Sequence, residues 1–190
     1  RDLHSFPTRR SSDLLVNVAE LEISGNTTTT SQSHGISVSG GTAAITGNIV
    51  KSAQEHGICV KYGNATCSGN RIESVAGNGC YVSGATVELT SETIDLLGAG
   101  KAGIRADAGD DATANVTAKV TVKNCDIRNT SSHGISLGSG VEFELDGNTI
   151  SSSKNGILSE GGVAGGKITS NETSRSEERR VGKECISRWS

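Results

Sequence analysis

A repeat of about 22 residues runs through most of this chain and limits its fold more than any other feature. One signature places an apolar residue two positions before Gly-Asn; close copies begin at Ile45, Cys67 and Leu145, and weaker copies at Ile23, Leu89, Val122 and Ile168. A second signature, glycine followed by an apolar residue, occurs at Gly35, Gly57, Gly79, Gly103, Gly134 and Gly156. Neighbouring copies are 22 to 24 residues apart except for one interval of 31 to 33 residues. Such self-similarity indicates a solenoid of stacked units.

The residues after each repeat glycine alternate between apolar and other types, as in Ile36/Val38 and Ile58/Val60. Alternation at every second position is the period of a β-strand rather than of a helix. Each strand is too short to bury its inner face alone, so copies must stack at the ~4.8 Å spacing of paired strands. The leucine frame of leucine-rich repeats and the six-residue period of left-handed β-helices are both missing. We predict an all-β, right-handed parallel β-helix solenoid of about seven coils over residues 15–174.

These Gly-Ile-x-Val and Ile-x-Gly-Asn-x-Ile units resemble the repeats of the pectin-lyase-like, right-handed parallel β-helix superfamily. The resemblance covers nearly all of residues 15–174 and implies the fold. It leaves the activity open, because that superfamily holds lyases, hydrolases, epimerases, phage tailspikes and adhesins. The sequence departs from two of its catalytic patterns. It lacks the combined Asp-Asp, Gly-His-Gly and Arg-Ile-Lys of the polygalacturonase type and the Asp-Pro-His-Asp of the mannuronan epimerases.

The two ends of the chain differ from the repeat, and we interpret them as products of sequencing. Residues 1–14 resemble the translation of a short-read sequencing adapter. A DNA sequence that encodes them reads, on its complementary strand, as RSEERRVGKECRS, which matches residues 175–187 except at Ile186. We therefore predict an adapter-like artefact without a fold at 1–14, a β-helix domain truncated at both ends at 15–174, and a second artefact at 175–190.

The interior segment is acidic and poor in aromatic residues, which argues against some partners. The ends hold eight of the 18 basic and five of the 21 acidic residues, so ten basic and 16 acidic residues remain. We expect no nucleic-acid partner, because the charge that neutralises phosphates and the stacking surface are both missing. No stretch approaches the ~18 apolar residues of a membrane-spanning segment, and the oligomeric state is left open. The interior cysteines lack metal-ligand spacing and are interpreted as small buried residues: Cys59, Cys67, Cys80 and Cys125.

Stacked coils align equivalent residues in columns, and two columns are polar. The first signature repeats its asparagine at Asn26, Asn48, Asn70, Asn148 and Asn171, while Glu92 and Cys125 replace it in two copies. We interpret this column as a structural ladder of amides, with ligand binding as the alternative. The residue before each repeat glycine is His34, His56, Asn78, Ala102, His133 or Asn155. Adjacent histidines could bind a metal, but no Asp, Glu or Cys joins them, so a left-handed turn is favoured.

A cluster of charged and aromatic residues on the outer face of the first strand is the candidate site. Two and four residues after the repeat glycines, successive coils present Lys61, Tyr81, Arg105 and Asp107. The unit that begins at Gly103 is nine residues longer than the 22-residue repeat. We expect its extra length in the loop AGDDATAN, which contains Asp110 and Asp111 and lies shortly after Lys101.

In the lyases of this superfamily, substrate lies in a groove along one strand face that long loops wall. The resemblance implies a catalytic group of Lys61, Arg105 and Asp107, with Tyr81 and Lys101 as substrate-binding residues. Arg105 would neutralise a uronate carboxylate, and Lys61 or Lys101 would remove the neighbouring proton. A calcium ion could be held by Asp107, Asp110 and Asp111. The alternative is that all of these are ordinary solvated charges.

Functions from different classes stay open on the sequence alone. The favoured one is a secreted or cell-surface rod without catalytic activity, adhesin-like or polysaccharide-interacting, because the coils are regular and rich in outward Ser and Thr. The alternative is a polysaccharide lyase or glycoside hydrolase acting on acidic polysaccharide. A carbohydrate-binding module is disfavoured by the few aromatic residues. We expect no cofactor, or calcium, and as partner a polysaccharide or a host or cell surface.

Overall fold

The computed structural model describes residues 15–16, 20–97, 100–109, 117–151 and 153–174. All regular structure in these residues is β-strand, arranged in three parallel sheets that we call A, B and C. No helix that could span a membrane occurs within these ranges. The adapter-like segments predicted at 1–14 and 175–190 lie outside the described residues.

Each sheet has seven strands, numbered here along the chain. Sheet A contains β1 (Leu15–Val16), β4 (Ile36–Ser39), β7 (Ile58–Lys61), β10 (Cys80–Ser83), β13 (Ile104–Asp107), β16 (His133–Leu137) and β19 (Asn155–Ser159). Sheet B contains β2 (Glu20–Ser24), β5 (Thr42–Thr46), β8 (Asn64–Ser68), β11 (Thr86–Thr90), β14 (Ala118–Lys123), β17 (Val141–Asp146) and β20 (Gly165–Thr169). Sheet C contains β3 (Thr27–Thr29), β6 (Ile49–Lys51), β9 (Arg71–Glu73), β12 (Thr93–Asp95), β15 (Asp126–Arg128), β18 (Thr149–Ser151) and β21 (Glu172–Ser174).

The predicted solenoid of seven coils is confirmed. Each coil contributes one strand to each sheet in the order A, B, C, and every strand pairs in parallel with its counterparts in the neighbouring coils. The register follows the sequence period, since Ile36 pairs with Ile58 and Ala43 pairs with Ala65, both 22 residues further on. Backbone hydrogen bonds between coils therefore hold residues of one repeat position in a straight column.

The core consists of apolar columns stacked inside the solenoid. The column of sheet C is fully buried in the second to sixth coils, where it comprises Val50, Ile72, Ile94, Ile127 and Ile150. Sheet A supplies two inward columns, one that contains Ile58 of β7 and one that contains Val60. Full burial of such a side chain stabilises the fold by about 1.5–3 kcal/mol. A three-residue strand gains this only when coils lie above and below it.

The two repeat glycines have different physical causes. Gly69, of the first signature, has φ +63° and open space where a Cβ would be, so it serves a left-handed turn between sheets B and C. That turn position has a positive φ in every coil, at Gly25, Gly47, Gly69, Ser91, Asn124, Gly147 and Ser170. Gly79, of the second signature, has no positive φ, but a Cβ there would lie 2.5 Å from both Ile94 Cγ2 and the Gly103 carbonyl oxygen. This glycine is required by close packing at the start of sheet A.

The long unit carries its extra residues between sheets A and B of the fifth coil. Ser83 pairs with Asp107 and Thr86 pairs with Lys119, so a step of three residues in the fourth coil becomes a step of twelve in the fifth, nine more. The predicted loop lies within this step, and residues 110–116 are outside the described part of the chain. The stack continues in register on both sides, so the solenoid accommodates the insertion without a break.

Candidate functional site

The asparagine column forms a hydrogen-bonded ladder at the corner between sheets B and C. Asn48 Nδ2 donates to Asn70 Oδ1 at 2.9 Å, and the Asn48 backbone N–H reaches the same oxygen at 2.9 Å. Asn26 makes the same contacts with Asn48, and Asn148 makes them with Asn171. The side chains of Asn48, Asn70 and Asn148 are buried. These amides therefore face one another and the backbone rather than a ligand.

Glu92 and Cys125 occupy the ladder in the fourth and fifth coils. Glu92 Oε1 accepts a hydrogen bond from Asn70 Nδ2 at 3.0 Å. The Cys125 backbone N–H donates to Asn148 Oδ1 at 2.9 Å, and Cys125 Sγ lies 3.7 Å from the Leu89 carbonyl oxygen. Glu92 is 1% exposed, and burial raises its pKa to about 7. A titratable carboxyl thus stands inside the buried ladder, next to a coil that carries a thiol in place of the amide.

The described cysteines are buried free thiols: Cys59, Cys67, Cys80 and Cys125. Burial raises the pKa of Cys59 to about 11 and that of Cys125 to about 12. It also raises the pKa of Cys67 and of Cys80 well above the ordinary value. A thiol that stays protonated is a poor nucleophile and a poor metal ligand, so these side chains act as small core residues.

A second ladder runs along the corner between sheets C and A, in the column before the repeat glycines. His34 Nδ1 accepts the His56 backbone N–H at 3.3 Å, and His56 Nδ1 accepts the Asn78 backbone N–H at 3.0 Å. Asn78 Oδ1 accepts the Ala102 backbone N–H at 3.1 Å. None of these residues has a positive φ, so the predicted left-handed turn is wrong. From His34 to Asn78, each side chain of this column accepts a hydrogen bond from the backbone of the next coil, and Ala102 ends this run.

The hydrogen bonds of the two histidines decide where their ring protons lie. Nδ1 accepts a hydrogen bond in both rings, so the ring proton of each histidine is assigned to Nε2. His34 Nε2 lies 3.3 Å from Glu55 Oε2, which also accepts a hydrogen bond from Ser33 Oγ at 2.7 Å. Neither imidazole therefore offers a free lone pair to a metal. In the described ranges, no three His, Cys, Asp or Glu side chains come together in a group that could hold a metal ion.

The two imidazoles continue into a stack with Tyr81 on the outer face of sheet A. The ring centroids of His34 and His56 are 5.1 Å apart, and those of His56 and Tyr81 are 4.7 Å apart. Lys61 Nζ lies 5.9 Å from the Tyr81 ring centroid, within the range of a cation–π contact. Burial, reinforced by the neighbouring His34, lowers the pKa of His56 to about 4. His56 is therefore uncharged at neutral pH.

Arg105 binds two carboxylates of the protein itself. Its Nε donates to Asp107 Oδ1 at 2.9 Å, and its Nη1 donates to Ser136 Oγ at 2.7 Å and to Glu160 Oε1 at 2.8 Å. Its Nη2 donates to both Asp107 and Glu160. These contacts use all five N–H donors of a guanidinium. The hydrogen bonds to Asp107 and then Glu160 raise the pKa of Arg105, and Arg105 lowers the pKa of Glu160.

The two carboxylates of this network belong to one column and span three coils. Asp107 and Glu160 are two coils apart, with Gly138 between them, because Ala106 pairs with Leu137 and Leu137 pairs with Ser159. A Cβ at Gly138 would overlap Asp107 Oδ1, so this glycine leaves room for the carboxylate. Glu160 follows the repeat glycine Gly156 by four residues, as Asp107 follows Gly103, so the repeat places both in one column. The sequence did not assign Glu160 to the site, because the reach of Arg105 across Gly138 depends on side-chain conformation.

The remaining predicted residues, Lys61 and Lys101, act electrostatically on His56. Lys61 and Lys101 both lower the pKa of His56, and neither forms an ion pair within the described ranges. Tyr62, which the sequence did not single out, is 47% exposed. A Cβ at Gly109 would lie 2.9 Å from Tyr62 Cε1, so the long segment of the fifth coil starts beside this ring.

The calcium ligands suggested by the sequence are only partly visible. Asp107 holds Arg105, and a carboxylate in that contact has fewer lone pairs for a cation. Asp110 and Asp111 lie outside the described residues.

Three parallel sheets stacked coil on coil, with polar ladders at two corners, define a β-helix repeat protein. The profile of the family described as Right handed beta helix region matches residues 14–173, and the chain belongs to this family. No curated protein and no solved structure matched the chain in comparisons of the same kind.

Proposed function

We propose that this protein is a non-catalytic β-helix rod, secreted or displayed at a cell surface, that binds acidic polysaccharide on the outer face of sheet A. The hydrogen-bond network of Arg105 carries the proposal. A lyase needs a cation that is free to hold the substrate carboxylate while the neighbouring proton leaves. All five donors of Arg105 are used by Asp107, Ser136 and Glu160. To bind a uronate, Arg105 would have to give up existing charge-assisted hydrogen bonds.

The same face retains features that suit binding. Tyr81 and Tyr62 offer aromatic surface, which packs against the apolar faces of sugar rings. Lys61 lies over the Tyr81 ring, and Lys61 and Lys101 both act on the pKa of His56. Neither lysine forms an ion pair in the described part of the chain, and positive charge beside the uncharged His56 ring favours an anionic ligand over a neutral one. The expected partner is therefore a polymer of uronic acids or of another acidic sugar.

The test compares binding to polygalacturonate, alginate and neutral dextran by affinity electrophoresis. Tyr81→Ala should weaken binding to the acidic polymers about 2- to 12-fold, because an aromatic contact contributes about 0.5–1.5 kcal/mol. The double variant Lys61→Ala/Lys101→Ala should weaken binding and reduce its dependence on salt. Lys119→Ala, which removes an exposed lysine from sheet B, is the matched control and should leave binding unchanged.

Catalysis is tested on the same samples by following the ultraviolet absorbance of unsaturated uronate. The proposal expects a flat trace. A rise that Arg105→Ala abolishes would replace the binding rod by a polysaccharide lyase. Equal binding of dextran and the acidic polymers, or an equal loss with Lys119→Ala, would contradict the assignment of the ligand to this face.

A further inference from the structure

Glu92 occupies a place in the buried ladder where most other coils carry an amide. It is 1% exposed, and its Oε1 accepts a hydrogen bond from Asn70 Nδ2 at 3.0 Å. Its second oxygen, Oε2, is buried without a hydrogen-bond partner among the described residues. An unpaired polar atom inside a low-dielectric core costs about 1–3 kcal/mol, and more if the atom is charged.

The neighbouring coils show what the ladder requires at this place. Asn48 Nδ2 donates to the Ile23 carbonyl oxygen at 2.9 Å, and Asn70 Nδ2 donates to the Ile45 carbonyl oxygen at 2.8 Å, in each case 25 residues earlier. The equivalent carbonyl for position 92 belongs to Cys67, 25 residues before it. An ionised carboxylate accepts hydrogen bonds only, whereas a protonated carboxyl also carries one O–H donor. Only the protonated form reproduces the acceptor and donor pair of an amide.

We propose that Glu92 is a neutral carboxylic acid in the folded protein, that its O–H donates into the ladder as an amide N–H would, and that the joint between the fourth and fifth coils therefore depends on this proton. The fifth coil carries the nine-residue insertion and continues the ladder with Cys125. This is the point in the column where two successive coils lack an amide. A proton on Glu92 tightens the stack here, and its loss loosens it.

The surroundings of Glu92 agree with a neutral group. The titratable side chains that interact with it are the thiols of Cys67, Cys80 and Cys125, and burial raises the pKa of each, so all three are uncharged. Among the described residues, the one side chain that hydrogen bonds to its carboxyl is the neutral Asn70. Burial raises the pKa of Glu92 to about 7, against the opposing effect of Asn70.

The direction of the pH effect follows from these values. In the unfolded chain Glu92 ionises near its ordinary pKa of 4.5, whereas in the folded chain it ionises near 7. Its contribution to stability is therefore fully present below about pH 4.5. That contribution is lost as the pH rises through about 7, because ionisation then favours the unfolded state.

The experiment measures the unfolding equilibrium of the full chain and of Glu92→Gln in urea between pH 5 and pH 8. Glutamine keeps the shape and one donor at every pH. Relative to Glu92→Gln, the unfolding constant of the wild type should rise on the order of 100-fold over this range. Glu88→Gln, an exposed change on β11, is the control and should show no such trend. A gap between wild type and Glu92→Gln that is constant with pH would overturn the proposal.

A second measurement reads the protonation state in the wild-type protein, and a variant serves only to assign the signal. Carboxyl carbons of ¹³C-labelled glutamate report the protonation of each side chain in the wild-type protein by NMR. One resonance should titrate near neutral pH, and Glu92→Asn, which restores the ladder residue, should remove it. If every glutamate of the folded wild type is already ionised at pH 5.5, Glu92 is not the neutral group described here.

Discussion

Asn70→Ala is the substitution that most directly measures how much the asparagine ladder contributes to the stability of the fold. Asn70 is 0% exposed, and its side chain makes four hydrogen bonds. Without this side chain, the backbone N–H and Nδ2 of Asn48 and the carbonyl oxygen of Ile45 each lose a hydrogen-bond partner. Glu92 Oε1 also loses the Asn70 Nδ2–H that it accepts. Each buried group left unpaired costs about 1–3 kcal/mol, and rearrangement recovers part of the sum. We expect a loss of about 3–5 kcal/mol, a shift in Tm of roughly 10 °C for a chain of this size.

The assay is urea unfolding followed by circular dichroism, with Asn64→Ala as the matched control. Asn64 lies in the same coil at the start of β8, where its side chain is exposed. Removal of an exposed amide should change the unfolding free energy by less than about 0.5 kcal/mol. The two variants thus differ in burial and bonding while sharing the chemical change and the coil.

Equal losses of unfolding free energy in the two variants would contradict this role of Asn70, because the ladder would then contribute nothing beyond an exposed amide. The double variant Asn48→Ala/Asn70→Ala extends the test. These two residues bond to each other, so the double loss should be smaller than the sum of the single losses. Additive losses would mean that the contacts between coils are not what the amides contribute.

Two further predictions concern the core and the glycines. Ile58→Asp should unfold the protein, because an unpaired carboxylate in the core costs several kcal/mol. Lys61→Asp, on the outer side of the same strand, should change the stability little. Equal unfolding midpoints for the two variants would contradict the register. Gly69→Asn should destabilise the protein by less than about 1 kcal/mol, since asparagine tolerates a positive φ and occupies the same turn position at Asn124. Gly79→Asn should destabilise it by more than about 3 kcal/mol, because its Cβ meets rigid backbone. Thermal melts that rank the two variants in the opposite order would contradict the two roles.

The repeat pattern alone was sufficient to predict the architecture. In a solenoid each inward column packs mainly against the same position one repeat away, so the period and the local alternation together specify the core. Ile36, Ile58 and Ile104 stand in one column for this reason. The position of the long insertion followed from the same arithmetic, since the repeats on either side keep their register.

The roles of single residues inside the repeat needed the structure. A glycine looks the same in a sequence whether it serves a positive φ, as Gly69 does, or a close approach, as Gly79 does. His34 and His56 were expected in turns because of their backbone preferences, yet their place is set by the N–H that the next coil presents. Such requirements arise from neighbouring coils and not from the local chain.

The candidate site shows the same division most clearly. The period predicted that Lys61, Tyr81, Arg105 and Asp107 lie on one face, because that depends on backbone register alone. It could not predict that Arg105 donates its hydrogen bonds to Asp107, Ser136 and Glu160. A contact across two coils depends on side-chain length, on the rotamer and on the space left at Gly138. The repeat register thus specifies which residues are neighbours, whereas side-chain packing between coils sets which of their charges already satisfy each other.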